Sequence, residues 1–251
     1  MFNAHKLKAD IYCFISGGPG AAFSKKEFRA FGAVPVEGFT VTCHSGALGT
    51  RHNTLGSVKT ALAWGAQIIE IDVSFRPDGE AVIIHNAKPS QRQGVSLERV
   101  LEAVSRDPNC RLNLDLKAFW NVKEVDRLAE KYGLMNRVFY TGVSEEEVGQ
   151  VAADSKIPYF LNAFPELKQL DDEQYARGLA EKIKALGAVG LNCQYRHISR
   201  KIIDVLHEYG LEASVWTVNR LSEQCEMLAL GADNITTLKP EALRWYIKSI
   251  K

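Results

Sequence analysis

The chain has 251 residues, 46% hydrophobic and 24% charged, and its 31 Lys+Arg against 30 Asp+Glu leave a net charge of +1. That length suits one large domain, and the composition excludes a disordered, collagen-like or coiled-coil chain. The near-zero charge supplies no basic surface, so no nucleic-acid partner is expected.

Residues 1–40 hold one apolar run, 11–15, which Gly17 and Gly18 break. It is shorter than a secretory h-region. No stretch approaches the ~18–20 apolar residues of a membrane-spanning helix, so no stable membrane insertion is expected. Five cysteines without a C-x-x-C pair point to reduced thiols rather than a disulfide framework or zinc ribbon, and hence to a cytoplasmic location. Gly17-Gly18-Pro19-Gly20 lacks the Lys-Ser/Thr of a P-loop and reads as a flexible turn. We set 1–40 apart as an extension without an assigned role, and 41–251 as the main domain. Oligomeric state is left open.

From residue 41 onward, short apolar runs alternate with helical patterns. Runs of the kind buried on both faces lie at 41–44, 67–73, 111–116, 137–141, 157–161, 188–191, 211–217 and 233–236. Asn53 or Thr54 opens the first helix, with Leu55, Val58 and Leu62 on one face and Gly65 after it. Ser96 opens the next through Leu97, Val100, Leu101 and Val104. Val122, Val125, Leu128 and Tyr132 precede Gly133, and Ser144 with Glu147 forms a capping box. Tyr175, Leu179, Ile183 and Leu186 precede Gly187. Ile202, Val205, Leu206 and Tyr209 precede Gly210. Leu221, Cys225 and Leu228 precede Gly231, and 241–248 is the last helix. The starts of the runs advance from 41 to 233 over seven intervals, about 27 residues each. Eight such units predict an α/β fold, a closed (β/α)8 TIM barrel, with a doubly wound open sheet as the second choice.

One segment departs from the repeat. Pro77-Asp78-Gly79-Glu80 between apolar runs is a hairpin signal, so the second strand carries a β-hairpin arm. A two-residue turn on Asp78-Gly79 sets Asp72 opposite His85, with Glu70 on the same face.

Active sites of such barrels lie at the C-terminal strand ends. There the sequence collects His44, Glu70, Asp72, His85, Asp115, Lys117, Asn162, Asn192, Trp216 and Asn219. Three carboxylates beside two histidines and a lysine make a site for a hard divalent cation, Mg²⁺ or Ca²⁺, with acid/base partners. Lys117 offers a point charge to a phosphoryl oxygen. Singly, each feature has a plainer reading. A strand-end histidine is commonly structural, Glu-x-Asp can be a ribbon face, and Asp115 with Lys117 can be an ordinary ion pair. Cys43 reads as a buried strand cysteine, and Trp216 as pocket wall or core. Their shared placement at strand ends favours a site.

These residues resemble a known family. "HSG" at 44–46, "NTLGSVKTALAWGAQIIEIDV" at 53–73, "PDGEAVIIHN" at 77–86, "LNLDLK" at 112–117, "VWTVN" at 215–219 and "GADNITT" at 231–237 are similar to the glycerophosphodiester phosphodiesterases, over about 41–245. The resemblance implies a phosphoric diester hydrolase that converts a small glycerophosphodiester to an alcohol and glycerol 3-phosphate. It implies His44 and His85 as the acid/base pair, Glu70, Asp72 and Asp115 as metal ligands, and Lys117 at the phosphate. Asp115 stands where the family usually has Glu. Ser45 replaces the arginine of His-Arg-Gly, and His52 replaces the glutamate of Glu-Asn-Thr. Ser45 is expected at the pocket mouth and His52 near the phosphate, where either side chain can meet it. Only 29 residues, 86–114, separate His85 from Asp115, too few for the family's capping insertion. Two other functions follow from these departures. One is cleavage of a lysophospholipid or sphingophospholipid through a cyclic phosphate, and the other is a non-catalytic phosphate-binding barrel.

Overall fold

Each of the eight apolar runs forms a strand in the computed structural model, which describes residues 33–250. The barrel strands are β1 (Thr40–Cys43), β2 (Ile68–Phe75), β5 (Arg111–Leu116), β6 (Val138–Val143), β7 (Tyr159–Asn162), β8 (Gly190–Gln194), β9 (Glu212–Trp216) and β10 (Asn234–Thr237). All pair in parallel with their neighbours, and β1 closes the ring by pairing with both β2 and β10. The helices that follow them are α1 (Leu55–Trp64), α2 (Leu97–Ser105), α3 (Val122–Lys131), α4 (Glu145–Asp154), α5 (Glu173–Ala185), α6 (Arg200–Glu208), α7 (Leu221–Leu230) and α8 (Pro240–Ile250). The closed (β/α)8 barrel is thus the fold.

Local chemistry sets the helix ends. The Thr54 hydroxyl accepts the Ser57 N–H at 3.0 Å, and the Glu147 carboxylate accepts the Ser144 N–H at 3.1 Å. Among the described residues, no helix is long and apolar enough to cross a membrane. Of the N-terminal segment, Gly17–Gly20 and Cys13 lie outside the described residues. Ala33 is buried, and its carbonyl accepts the Tyr246 hydroxyl at 3.0 Å.

Alternation along the strands separates two cores. Ile71, Val73, Leu112 and Leu114 belong to the large cluster that the helices cover. Ile68, Phe139 and Phe160 form a second, small cluster. Each lies two residues before a pocket residue (Glu70, Thr141, Asn162), and so shares its inward face. This apolar floor fills the barrel and lifts the polar layer to the C-terminal mouth.

The hairpin arm is present, but its register differs from the sequence expectation by one residue. β2 pairs antiparallel with β3 (Ala81–Ile83) as Val73↔Ile83, Ser74↔Val82 and Phe75↔Ala81. Arg76 N–H bonds the Glu80 carbonyl and Gly79 N–H bonds the Arg76 carbonyl, each at 2.9 Å. The loop is therefore three residues, Pro77-Asp78-Gly79, with Gly79 at φ 91°. Proline explains the shift. A two-residue turn would put Pro77 in a ladder position that needs an N–H, which proline lacks. Asp72 consequently faces Ile84, whose N–H bonds its carbonyl at 3.0 Å, and not His85. His85 still meets Asp72 because the strand ends at Ile83 and the chain bends at His85, turning its ring back. Residues 86–114 are taken up by loops, β4 (Val95–Ser96), α2 and the start of β5, and form no cap.

Candidate active site

The mouth of the barrel is a pocket of about 690 Å³ with a charged half and a neutral half. In-register pairing of β2 with β5 sets Asp72 beside Asp115, and Glu70 one inward position below. Ligand oxygens of Glu70, Asp72 and Asp115 lie within 4.8 Å of one another, as expected. Lys117 Nζ bridges Asp115 Oδ2 at 2.5 Å and Asp72 Oδ1 at 3.1 Å. The ammonium therefore serves the carboxylates and borders the pocket at the same time. His44 Nδ1 lies 2.7 Å from the Ser45 carbonyl and 3.6 Å from Glu70 Oε2. His85 Nδ1 lies 3.3 Å from Asp72 Oδ2.

Three carboxylates share one ammonium in a half-dry site, and their protonation shows the imbalance. Burial pushes the Glu70 carboxyl well above its ordinary value, and Asp115 and Asp72 push it further. Burial likewise raises Asp115 despite Lys117. Burial pushes Asp72 upward too, but Lys117, the Asn53 amide and His85 outweigh it and hold this carboxyl below its ordinary value. Burial opposes the charged Lys117, yet Asp115 and Asp72 hold its ammonium above the usual lysine range. An all-oxygen donor set with uncompensated negative charge fits a hard divalent cation.

Ser45 is not at the pocket mouth. After His44 the chain turns inward, with Ala47 N–H on the His44 carbonyl, and Ser45 is only 2% exposed. It does not line the pocket, so it cannot meet a phosphate. His52 does line it, exposed, with its ring edge-on to His44 at 5.6 Å. Gly46 lies directly under that imidazole, where a Cβ would come within 2.7 Å of the ring. Restoring the family's arginine by Ser45→Arg should thus overpack the site, at ~1–3 kcal/mol. The expected result is a lower Tm and no gain in calorimetric affinity for glycerol 3-phosphate. A tighter complex would show that the loop can open.

The neutral half comes from β7, β8 and β9. Asn162, Asn192 and Trp216 line it, and Asn192 Nδ2 bonds Asn162 Oδ1 at 2.9 Å. Asn219 is absent from the lining, because its Oδ1 caps the Leu238 N–H at 2.9 Å. Phe164, 59% exposed, stands edge-on to Trp216 with centroids 6.0 Å apart and extends the wall to the rim. Sequence reading missed Phe164, Asn53 and Gly142. A glycine directly after the apolar run 137–141 was the available signal for the last. Gly142 sits at φ 80° in a register shift of β6, and a Cβ there would lie 2.5 Å from Asp115 Oδ1 and 2.4 Å from the Leu116 carbonyl. Gly142→Ala is expected to cost ~1–3 kcal/mol of stability and to displace Asp115. Thermal unfolding measures the first effect and cation affinity the second.

No family profile matches the chain. A glycerophosphodiester phosphodiesterase of Caldanaerobacter subterraneus subsp. tengcongensis is 23% identical over 220 residues, covering 76% of this chain and 90% of that protein. A glycerophosphodiester phosphodiesterase of Parabacteroides distasonis superposes with a TM-score of 0.67 at 20% identity, covering 85% of this chain and 98% of that one. An Oleispira antarctica phosphodiesterase, solved with the product sn-glycerol-3-phosphate, gives a TM-score of 0.67 at 18% identity, over 83% of this chain and 96% of that one.

Proposed function

We propose that this chain, which resembles the glycerophosphodiester phosphodiesterases in sequence and fold, is a phosphoric diester hydrolase acting on small glycerophosphodiesters. The observation that carries the reading is the cluster of Glu70, Asp72 and Asp115 oxygens within 4.8 Å, flanked by two imidazoles. Glu70, Asp72 and Asp115 would hold Mg²⁺ or Ca²⁺, which when bound supplies Lewis-acid stabilisation of charge on a phosphoryl oxygen.

The chain's own residues handle the protons. A carbonyl only accepts, so the His44 Nδ1 facing Ser45 O at 2.7 Å carries the hydrogen, and the neutral ring keeps its lone pair on Nε2. His85 is oriented through Nδ1 in the same way, by the Asp72 carboxylate at 3.3 Å. Each imidazole is fixed by one nitrogen and offers the other for proton transfer. One deprotonates the attacking oxygen, and the other protonates the departing alcohol. Lys117, His52 and Trp216 all line the pocket; in this reading the first two would meet the phosphate and Trp216 the alcohol.

The exposed Phe164 and the capless mouth favour a second substrate class, a lysophospholipid or sphingophospholipid, whose own hydroxyl attacks to give a cyclic phosphate. Both readings are tested by following a glycerophosphodiester and a lysophospholipid by ³¹P NMR with Mg²⁺, Ca²⁺ or chelator. A monoester from the glycerophosphodiester is the expected product. A cyclic product from the lipid establishes the second class, and no turnover of either leaves a phosphate-binding barrel.

A further inference from the structure

We infer that Ser45 and Asn53 form a positioning clamp, in which a buried serine hydroxyl orients an asparagine amide that in turn fixes Asp72, while the same serine's backbone fixes Glu70. The inference rests on the metal-binding reading of Glu70 and Asp72 given above. It assigns a role to the position that departs most from the family's His-Arg-Gly motif.

Every bond of the clamp is directional. Ser45 N–H donates to Glu70 Oε2 at 2.9 Å. Ser45 Oγ accepts the Asn53 N–H at 2.5 Å and donates to Asn53 Oδ1 at 3.2 Å. Asn53 Oδ1 also accepts the Asp72 N–H at 3.1 Å, while Asn53 Nδ2 donates to Asp72 Oδ2 at 2.6 Å. Two donors thus converge on Asn53 Oδ1, and this settles the amide's orientation. A flipped amide would set its oxygen against the Asp72 carboxylate and its NH₂ against two donors. The backbone supports the arrangement. Asn53 adopts φ 50°, a left-handed conformation that asparagine tolerates better than most residues. With Oδ2 held by Asn53 and Oδ1 by Lys117 at 3.1 Å, Asp72 is anchored at both oxygens. Partners of this kind, which hold a ligand rather than the ion, set metal affinity.

Ser45 therefore links two of the three carboxylates without touching the pocket. Ser45 is 2% exposed, so its small hydroxyl fits where an arginine side chain would have no room.

Two measurements on purified, full-length protein test the clamp. The first is NMR of the Asn53 side-chain amide in chelator. A strongly hydrogen-bonded, slowly exchanging Nδ2–H is expected in the wild type, and its loss in Ser45→Ala. The second is calorimetric titration with Mg²⁺ and with Ca²⁺. Ser45→Ala and Asn53→Ala should each weaken affinity about ten- to a hundredfold. The double variant should be no weaker than Asn53→Ala alone, since both substitutions break one chain. An unchanged amide in Ser45→Ala overturns the proposal, as does unchanged affinity with the amide released, or fully additive effects. A folded wild type that binds neither cation overturns the metal-binding reading instead, and the amide signal then still decides whether the clamp exists.

Discussion

Glu70→Gln and Asp72→Asn are each expected to lower kcat at least a hundredfold at saturating cation, ~2.7 kcal/mol of activation free energy, yet to change stability in opposite directions. Under the proposed reading both would lose an anionic ligand, so the effect on turnover has one sign. Their effects on folding differ because their surroundings differ. In the cation-free protein the Glu70 carboxyl is pushed well above its value of 4.5, by burial first and then by Asp115 and Asp72. The folded state thus binds this proton more tightly than the unfolded chain does. The resulting stabilisation is complete below about 4.5 and is lost as pH rises through the higher folded value. Glu70→Gln puts a neutral group there, so in chelator at neutral pH its Tm should exceed that of the wild type. Its decline with rising pH should also be shallower.

Asp72 is the reverse case. Burial works against its charge, but Lys117, the Asn53 amide and His85 more than offset burial and hold the carboxyl below 3.8. Its ionised form stabilises the fold above the unfolded value, and that contribution is lost as pH falls through the lower folded one. Asp72→Asn removes it and strands the Lys117 ammonium on Asp115 alone, so its Tm in chelator should fall. Adding Mg²⁺ should raise the Tm of the wild type and move neither variant as far. Calorimetric scans in EDTA from pH 5 to 8 test the contrast, and shifts of the same sign in both variants would refute this account of the site's electrostatics.

The parts of this fold that were legible in the sequence are those set by periodicity. Eight apolar runs alternating with helical patterns give the barrel, and a barrel fixes what its strand ends share. Glu70, Asp72, Asp115 and Lys117 therefore meet as read. What was not legible depends on contacts between loops. Asp-Gly favoured a two-residue turn, and Pro77 overruled it by its missing N–H. Ser45 follows a strand-end histidine, and only the turn of 44–47 reveals that its side chain faces inward. Asn53 read as a helix opener, because its partners Ser45 and Asp72 lie 8 and 19 residues away. Gly142 matters through the Asp115 carboxylate on the neighbouring strand, a contact that exists only once β5 and β6 pair. Spacing along the chain reports which face a residue takes, and these missed residues are defined by what crosses to them.

Loss of either imidazole, in His44→Ala or His85→Ala, is expected to cost about 10²- to 10⁴-fold in kcat, and the leaving group should separate their roles. An alkyl alcohol departs poorly unless a proton reaches its oxygen, whereas p-nitrophenolate needs none. The histidine whose loss is felt with a glycerophosphodiester but largely forgiven with bis(p-nitrophenyl) phosphate is the acid. The one whose loss is felt with both is the base. Exposure supports one assignment. The His85 side chain is 82% exposed at the rim, where a departing alcohol reaches solvent, and the His44 side chain is 26% exposed beside Glu70. His85→Ala should therefore be the forgiven variant, and His44→Ala the one that fails with both diesters. Because each ring is held through Nδ1, His85→Gln and His44→Gln should not restore activity, since an amide that fills the space cannot exchange the proton. Equal losses for both variants on both diesters would mean that the imidazoles orient the substrate and transfer no proton in the rate-limiting step.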